Sequence, residues 1–285
     1  MKNEIERLQQ ECEELRLELV QKTSAINVFK FELEKANETL IKLKLRLDLD
    51  YKSLSELFRL IVPTKIPKIS GFQFSTQFKS GTDYYGDYFD VFEHKDKLKF
   101  GTLLCKSPSP SVSAVVLALL MKLSHEFEEK VLIDPTESLS HLVGELKNFE
   151  VLPDLFLGYF NKRDFSFTYS GLGLVKGLHK SRKTQTVTCF YEGQDDLATH
   201  KIKLDAGDIL IMLTDGFFKS KNQNDNYLSV EELMSVLGVL PSDANVHDIR
   251  HEILFVLNKH LQGLVPSHDT TLVIFSPDEP VLRLA

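Results

Sequence analysis

Tryptophan is absent from this chain, and its three cysteines, Cys12, Cys105 and Cys189, are scattered over 285 residues. Isolated thiols build neither a disulfide framework nor a Cys-rich zinc module, and they suit a reducing cytoplasm. No apolar run reaches the roughly 18–20 residues that a membrane span needs. The opening MKNEIERLQQ is too acidic and too polar for a signal peptide. Long blocks of Lys and Arg are missing, and 41 acidic residues against 34 basic ones leave a net charge of −7. That balance argues against nucleic acid or an acidic membrane surface as the main partner. The nine histidines include no H-E-x-x-H pair, and Gly171-Leu172-Gly173 lacks the spacing of a dinucleotide fingerprint. Neither Ser170 nor Ser181 sits in a G-x-S-x-G elbow. What remains is 42% apolar and 26% charged residues, the composition of a globular protein with a core.

The first 61 residues contain no Gly and no Pro. Every seventh residue from Ile5 is apolar: Ile5, Cys12, Leu19, Ile26, Leu33, Leu40, Leu47, Leu54 and Ile61. The companion positions Leu8, Leu15, Phe29, Ala36, Leu43 and Leu57 are apolar too, with Lys22 and Asp50 as interruptions. A 3.5-residue repeat sustained this long predicts one helix in a left-handed coiled coil, on the order of 85 Å long. Residues 41–50 (IKLKLRLDLD) alternate strictly, which alone reads as a strand. The heptad frame passes through them without a slip and no turn residue bounds them, so helix is the expectation. Leu45 and Leu49 then fall outside the seam as extra apolar surface. Ile at some seam positions with Leu opposite leans towards a parallel homodimer.

The segment Val62-Pro63-Thr64-Lys65-Ile66-Pro67 stops the helix, because proline removes a backbone donor and restricts its predecessor. The chain therefore divides into a coiled-coil helix, residues 1–61, and a globular domain, residues 62–285. Strands are expected at 72–78, 88–92, 98–104, 155–160, 165–170, 186–191, 201–204, 208–213 and 270–275. Helices are expected at 112–127, 136–149, 230–237 and 246–261. That order belongs to a layered α+β domain rather than to βαβ alternation. Ser107, Ser109, Ser111 and Ser113 form a Ser/Pro-rich stretch that reads as a solvated turn.

Candidate chemistry gathers at four strand mouths: 86–90 (GDYFD), 104–108 (LCKSP), 207–216 (GDILIMLTDG) and 267–273 (SHDTTLV). An Asp at the end of a buried strand is one way to hold a hard divalent cation through oxygen. Taken singly, each such Asp is more often a turn or capping residue.

Taken in order, residues 60–67, 85–92, 117–123, 207–216 and 268–273 resemble the motifs of the SpoIIE/RsbU-type branch of PP2C metal-dependent serine/threonine phosphatases. The resemblance covers roughly residues 50 to 276. It implies an α+β fold, a PP2C-like β-sandwich flanked by helices, with a paired Mg²⁺ or Mn²⁺ site at one end. Asp87 and Asp215 match family metal ligands, and Gly86, Asp90, Gly216 and Asp269 fall in the same segments.

Three positions depart from the family pattern. Cys105 stands eighteen residues after Asp87, where the family's D-x-x-G-H-G motif opens with Asp, and Lys106-Ser107-Pro108-Ser109-Pro110 follows. His268 replaces the first Asp of the closing pair, and Lys219 replaces the acidic residue after the TDG motif. Two carboxylates do not neutralise two dications, thiol and imidazole are poor substitutes for hard oxygen donors, and Lys106 and Lys219 add positive charge. The expectation is no metal cofactor and a dimeric bacterial pseudophosphatase that signals by protein binding. The resemblance implies a regulatory phosphoprotein or anti-sigma-factor antagonist as its partner. The alternative is an active phosphatase with an altered Mn²⁺ or Mg²⁺ site. Asp87, Cys105, Asp215 and His268 also compose a mixed donor set of the kind tetrahedral zinc accepts, although a buried thiol and a turn histidine are commoner.

Overall fold

The computed structural model describes residues 2–61, 66–81, 86–94, 97–106, 134–146, 152–194 and 196–278. The expected helix at 112–127, the Ser/Pro-rich stretch and the helix-stopping residues 62–65 lie outside the described residues. The chain forms two compact units, Met1–Ser53 and Leu54–Ala285.

The first unit lies within one helix, α1 (Lys2–Ile61), which runs on past it into the second. The alternating stretch 41–50 is helical throughout, as the unbroken heptad frame requires. Hydroxyls of Thr23, Thr39 and Ser53 turn back to carbonyls one turn earlier, so polar side chains on the helix are served locally. The seam stays open to solvent in the single chain: Leu19 is 69% exposed and Leu43 54%. Leu45 and Leu49 are similarly exposed. No helix among the described residues is long and apolar enough to cross a membrane.

In the second unit, strands β1 (Phe72–Lys79), β6 (Lys176–Lys180), β7 (Val187–Tyr191), β9 (Ile209–Leu213) and β10 (Thr270–Pro277) form one antiparallel sheet, ordered β1-β10-β9-β6-β7. The other sheet comprises β2 (Asp87–Glu93), β3 (Lys99–Lys106), β4 (Asp154–Asn161), β5 (Ser166–Leu172) and β8 (His200–Lys203), in sequence order. Alternation along each strand sends one set of side chains between the sheets. There Phe100, Phe160 and Phe167 meet Phe275 from the opposite sheet with ring centroids 5.4, 6.0 and 5.5 Å away, mostly edge-on.

Helices cover the outer faces. Helix α2 (Pro135–Glu145) opens on an Asp134 cap with Pro135 in its first turn, and its Ser138 hydroxyl lies 3.3 Å from Tyr159 Oη. After the one-turn α3 (Gly216–Lys219), helices α4 (Val230–Gly238) and α5 (Val246–Leu261) bury Leu233, Leu237, Ile249 and Ile253 with Leu178, Ile211 and Leu272. Asn245 and Asp248 close a capping box on α5.

Strand β6 is the element that sequence patterning missed. Lys176-Gly177-Leu178-His179-Lys180 shows no apolar alternation, yet it lies between β7 and β9. Its buried Lys180 donates to the carbonyls of Leu237 and Leu240, and so ties β6 to the chain at and just beyond the end of α4. Asp208 accepts from the His179 ring and the amides of Arg182 and Asp205, and so serves the turn into β9.

Candidate functional site

The register of the second sheet sets Asp87 of β2 opposite Lys106 of β3, and Lys106 opposite Asp154 of β4. Directly paired residues share a face, so a carboxylate–ammonium–carboxylate row crosses three strands at one end of the sandwich. The opposite sheet closes on this row with the residues that follow β9 and open β10. Thr214 and Thr271 donate their hydroxyls to Asp87 Oδ2 at 2.6 and 2.8 Å, and Thr214 Oγ1 accepts the Thr271 amide. Asp215 receives Lys106 on Oδ1 and Lys219 Nζ at 2.7 Å on Oδ2.

Asp269 lies alongside. Its carboxylate accepts the amides of Gly81, Gly86 and Asp87 at 2.8, 2.9 and 3.3 Å. Gly216 passes so close to the Asp269 carbonyl that a Cβ would collide with it, so the turn after Asp215 admits only glycine. At Gly173, in left-handed conformation with φ +83°, a Cβ would likewise strike the Asp154 carboxylate.

Charge follows from this geometry. Burial pushes the Asp87 carboxyl well above the ordinary aspartate range, and the neighbouring Asp269 charge pushes the same way, against the two threonine bonds and Lys106. Burial also raises Asp269 despite its three amide donors, and it raises Asp154, where the Asp215 charge adds to it. Asp215 goes the other way. Burial would raise it, but Lys106 and then Lys219 outweigh burial and hold it below the usual range. One carboxylate of the cluster is firmly anionic, and its two oxygens face two ammonium groups.

The remaining sequence candidates sort by face. Cys105 lies opposite Tyr88, one step out of the charged row, and alternation turns it towards the outer side of the sheet. It is buried in the apolar core, and burial, then Asp87 and Asp154, push its thiol well up. Asp90 shares that outer face, where it accepts from Tyr88 Oη at 3.3 Å and from the Val91 amide. His268 Nδ1 is 2.9 Å from Ser267 Oγ. The structure thus brings together Asp87, Lys106, Asp215, Lys219 and Asp269, with Gly86 and Gly216 as backbone supports.

Sequence reading missed Asp154, Thr214, Thr271, Gly81 and Gly173. The two threonines stand inside the quoted motifs and were the readable signal. Asp154 had none, because its place beside Lys106 depends on strand register.

The Stage II sporulation protein E (SpoIIE) family model matches residues 111–278, more than half of the chain. The chain belongs to the SpoIIE family. Solved structures agree on the PP2C-like fold of this SpoIIE-family domain. The SiaA-PP2C domain of Pseudomonas aeruginosa superposes with TM-score 0.65 at 14% identity, covering 83% of this chain and 98% of that one. The RsbU and RsbW domains of Rv1364c from Mycobacterium tuberculosis give 0.63 at 14% identity, covering 76% of this chain and 63% of that one. This chain therefore spans less than two thirds of that relative. RsbX in complex with magnesium gives 0.55 at 15% identity, covering 74% and 98%. No curated protein matches the sequence.

The SpoIIE family implies Mg²⁺ or Mn²⁺ in this cleft, and the residues present do not fit one. Both oxygens of Asp215 are engaged by lysines, both oxygens of Asp269 accept backbone amides, and Asp87 Oδ2 accepts two hydroxyls. Among the described residues no three His, Cys, Asp or Glu side chains are grouped to hold a metal ion. The mixed zinc set does not converge either, since Cys105 faces away from the row of Asp87.

Proposed function

We propose that this SpoIIE-family domain is a pseudophosphatase: it binds a regulatory protein in the manner of a phosphatase recognising its client, without hydrolysing it, and it works as a homodimer joined by α1. The observation that carries this reading is the double engagement of Asp215 by Lys106 and Lys219. A carboxylate whose two oxygens already neutralise ammonium groups is a poor ligand for a hard dication, which must displace both and sit among like charges. The partner class, a regulatory phosphoprotein such as an anti-sigma-factor antagonist, comes by analogy with the family alone.

The exposed seam of α1 supports self-association, since contiguous apolar surface of this length on one helix marks an interaction face. A second reading, an active phosphatase with an altered metal site, is favoured by Asp154, a carboxylate beside Lys106 and electrostatically coupled to Asp215. The two readings separate in one assay. The full chain with a small aryl phosphate and Mn²⁺ is expected to release no phosphate above background. Turnover that disappears in Asp215→Asn would establish the active reading instead.

A further inference from the structure

The residues that flank the seam of α1 are sorted by sign. With Ile5 as the first position of a heptad, the seventh positions hold Glu4, Glu11, Glu18 and Glu32, with Arg46 as the one base. The fifth positions hold Arg16, Lys30 and Lys44 and no acid. In a parallel pair the seventh-position column of one helix flanks the fifth-position column of the other. In an antiparallel pair each column flanks its own kind.

We infer that a second copy of this chain docks on the seam parallel and in register; this rests on the self-association proposed above and adds its direction. In that register Glu11 meets Arg16 of the second copy on both flanks, and no like-charge pair forms along them. Full antiparallel overlap sets Glu32 and Lys30 each against its own counterpart and Arg16 against Lys44, which offsets the attraction of Glu18 for Arg46. Lys22, inside the seam, faces its own counterpart, but its ammonium is drawn to the acidic flank by Glu18 of the same helix, 2.6 Å away. Asp50 also faces its counterpart and marks a weak layer towards the C-terminal end of the seam.

The register has a native reporter. Cys12 occupies a seam position and is exposed in the single chain, whereas Cys105 is buried and Cys189 half-buried. Parallel alignment sets the two Cys12 thiols side by side. Full antiparallel overlap separates them by roughly 57 Å, at 1.5 Å per residue. Treatment of the full chain at micromolar concentration with a short bis-maleimide is expected to yield a covalent dimer that Cys12→Ser does not form. A chain that sediments as a dimer yet gives no Cys12 cross-link overturns the parallel register and leaves self-association standing. A chain that sediments as a monomer overturns both. Charge reversal reads the same geometry without the thiol: Arg16→Glu is expected to weaken the dimer about tenfold, and adding Glu11→Arg to restore it. Weakening without restoration also overturns the register.

Discussion

At the scale of single residues, the cleft is organised by which lysine is buried. Lys106 is 15% exposed in its side chain and faces Asp215 from within the charged row, whereas Lys219 is 45% exposed. Removing a partner from a buried pair strands the other charge and costs about 3–5 kcal/mol, while an exposed pair contributes about 1 kcal/mol or less. Lys106→Met is therefore expected to lower unfolding free energy by several times more than Lys219→Met, read by urea denaturation of each variant. Equal losses would show that Lys106 is not the counter-ion of the row. The acids themselves predict a pH dependence. Asp87 has its folded pKa raised, so the native state holds the proton more tightly than the unfolded chain, and stability falls as pH rises from the ordinary aspartate value of about 4 through the raised one. Asp215 is held down, so its contribution is present above the ordinary value and is lost as pH falls through its lowered one. Thermal melts of Asp87→Asn should accordingly show a shallower decline as pH rises above the ordinary aspartate value, with the shares of Asp154 and Asp269 remaining, and keep the loss in strong acid. Lys106 and Lys219 were legible in the sequence as positive charge beside a family metal site. The facing of Cys105 away from that site was not, because one residue of register decides which of Cys105 and Lys106 turns inward.

At the scale of elements, two segments show when local pattern decides and when it does not. Residues 41–50 alternate like a strand but belong to a heptad frame that extends far beyond them, and the longer-range period wins. In β6 the reverse holds: five residues without alternation become a strand because β7 and β9 supply ladder partners on both sides. The same dependence on partners applies to α1. Helices owe most of their stability to packing of an apolar face rather than to propensity, and here that face is uncovered in the single chain. Ile26 and Leu33 sit at the centre of the seam, 59% and 62% exposed. Burying such a side chain contributes about 1.5–3 kcal/mol in each chain of a pair. Ile26→Asp with Leu33→Asp is thus expected to abolish self-association and to lower the helical circular dichroism signal. A sedimentation profile unchanged by the pair of substitutions would show that the heptads are not an interface.

For the whole molecule, the two-sheet sandwich has the PP2C-like fold of its relatives, whereas the cleft at its end carries cations of its own. Lys106 lies in the sheet row between Asp87 and Asp154 and reaches across to Asp215 of the opposite sheet, so it ties the two layers as a bound dication would. Metal dependence of the fold tests this directly. A ligand that binds only the native state stabilises it by RT ln(1 + [L]/Kd), about 2.7 kcal/mol when the ligand is at a hundred times its dissociation constant. A phosphatase site of micromolar affinity would therefore raise the melting temperature by several degrees in millimolar Mn²⁺, whatever its substrate. In this chain the ammonium is covalently tethered and present in every molecule, so the melting curve is expected to be the same with Mn²⁺ and with chelator. A rise on adding Mn²⁺ that vanishes in Asp215→Asn would mean that the ion displaces Lys106, and that the lysine is a gate to the site rather than its permanent occupant.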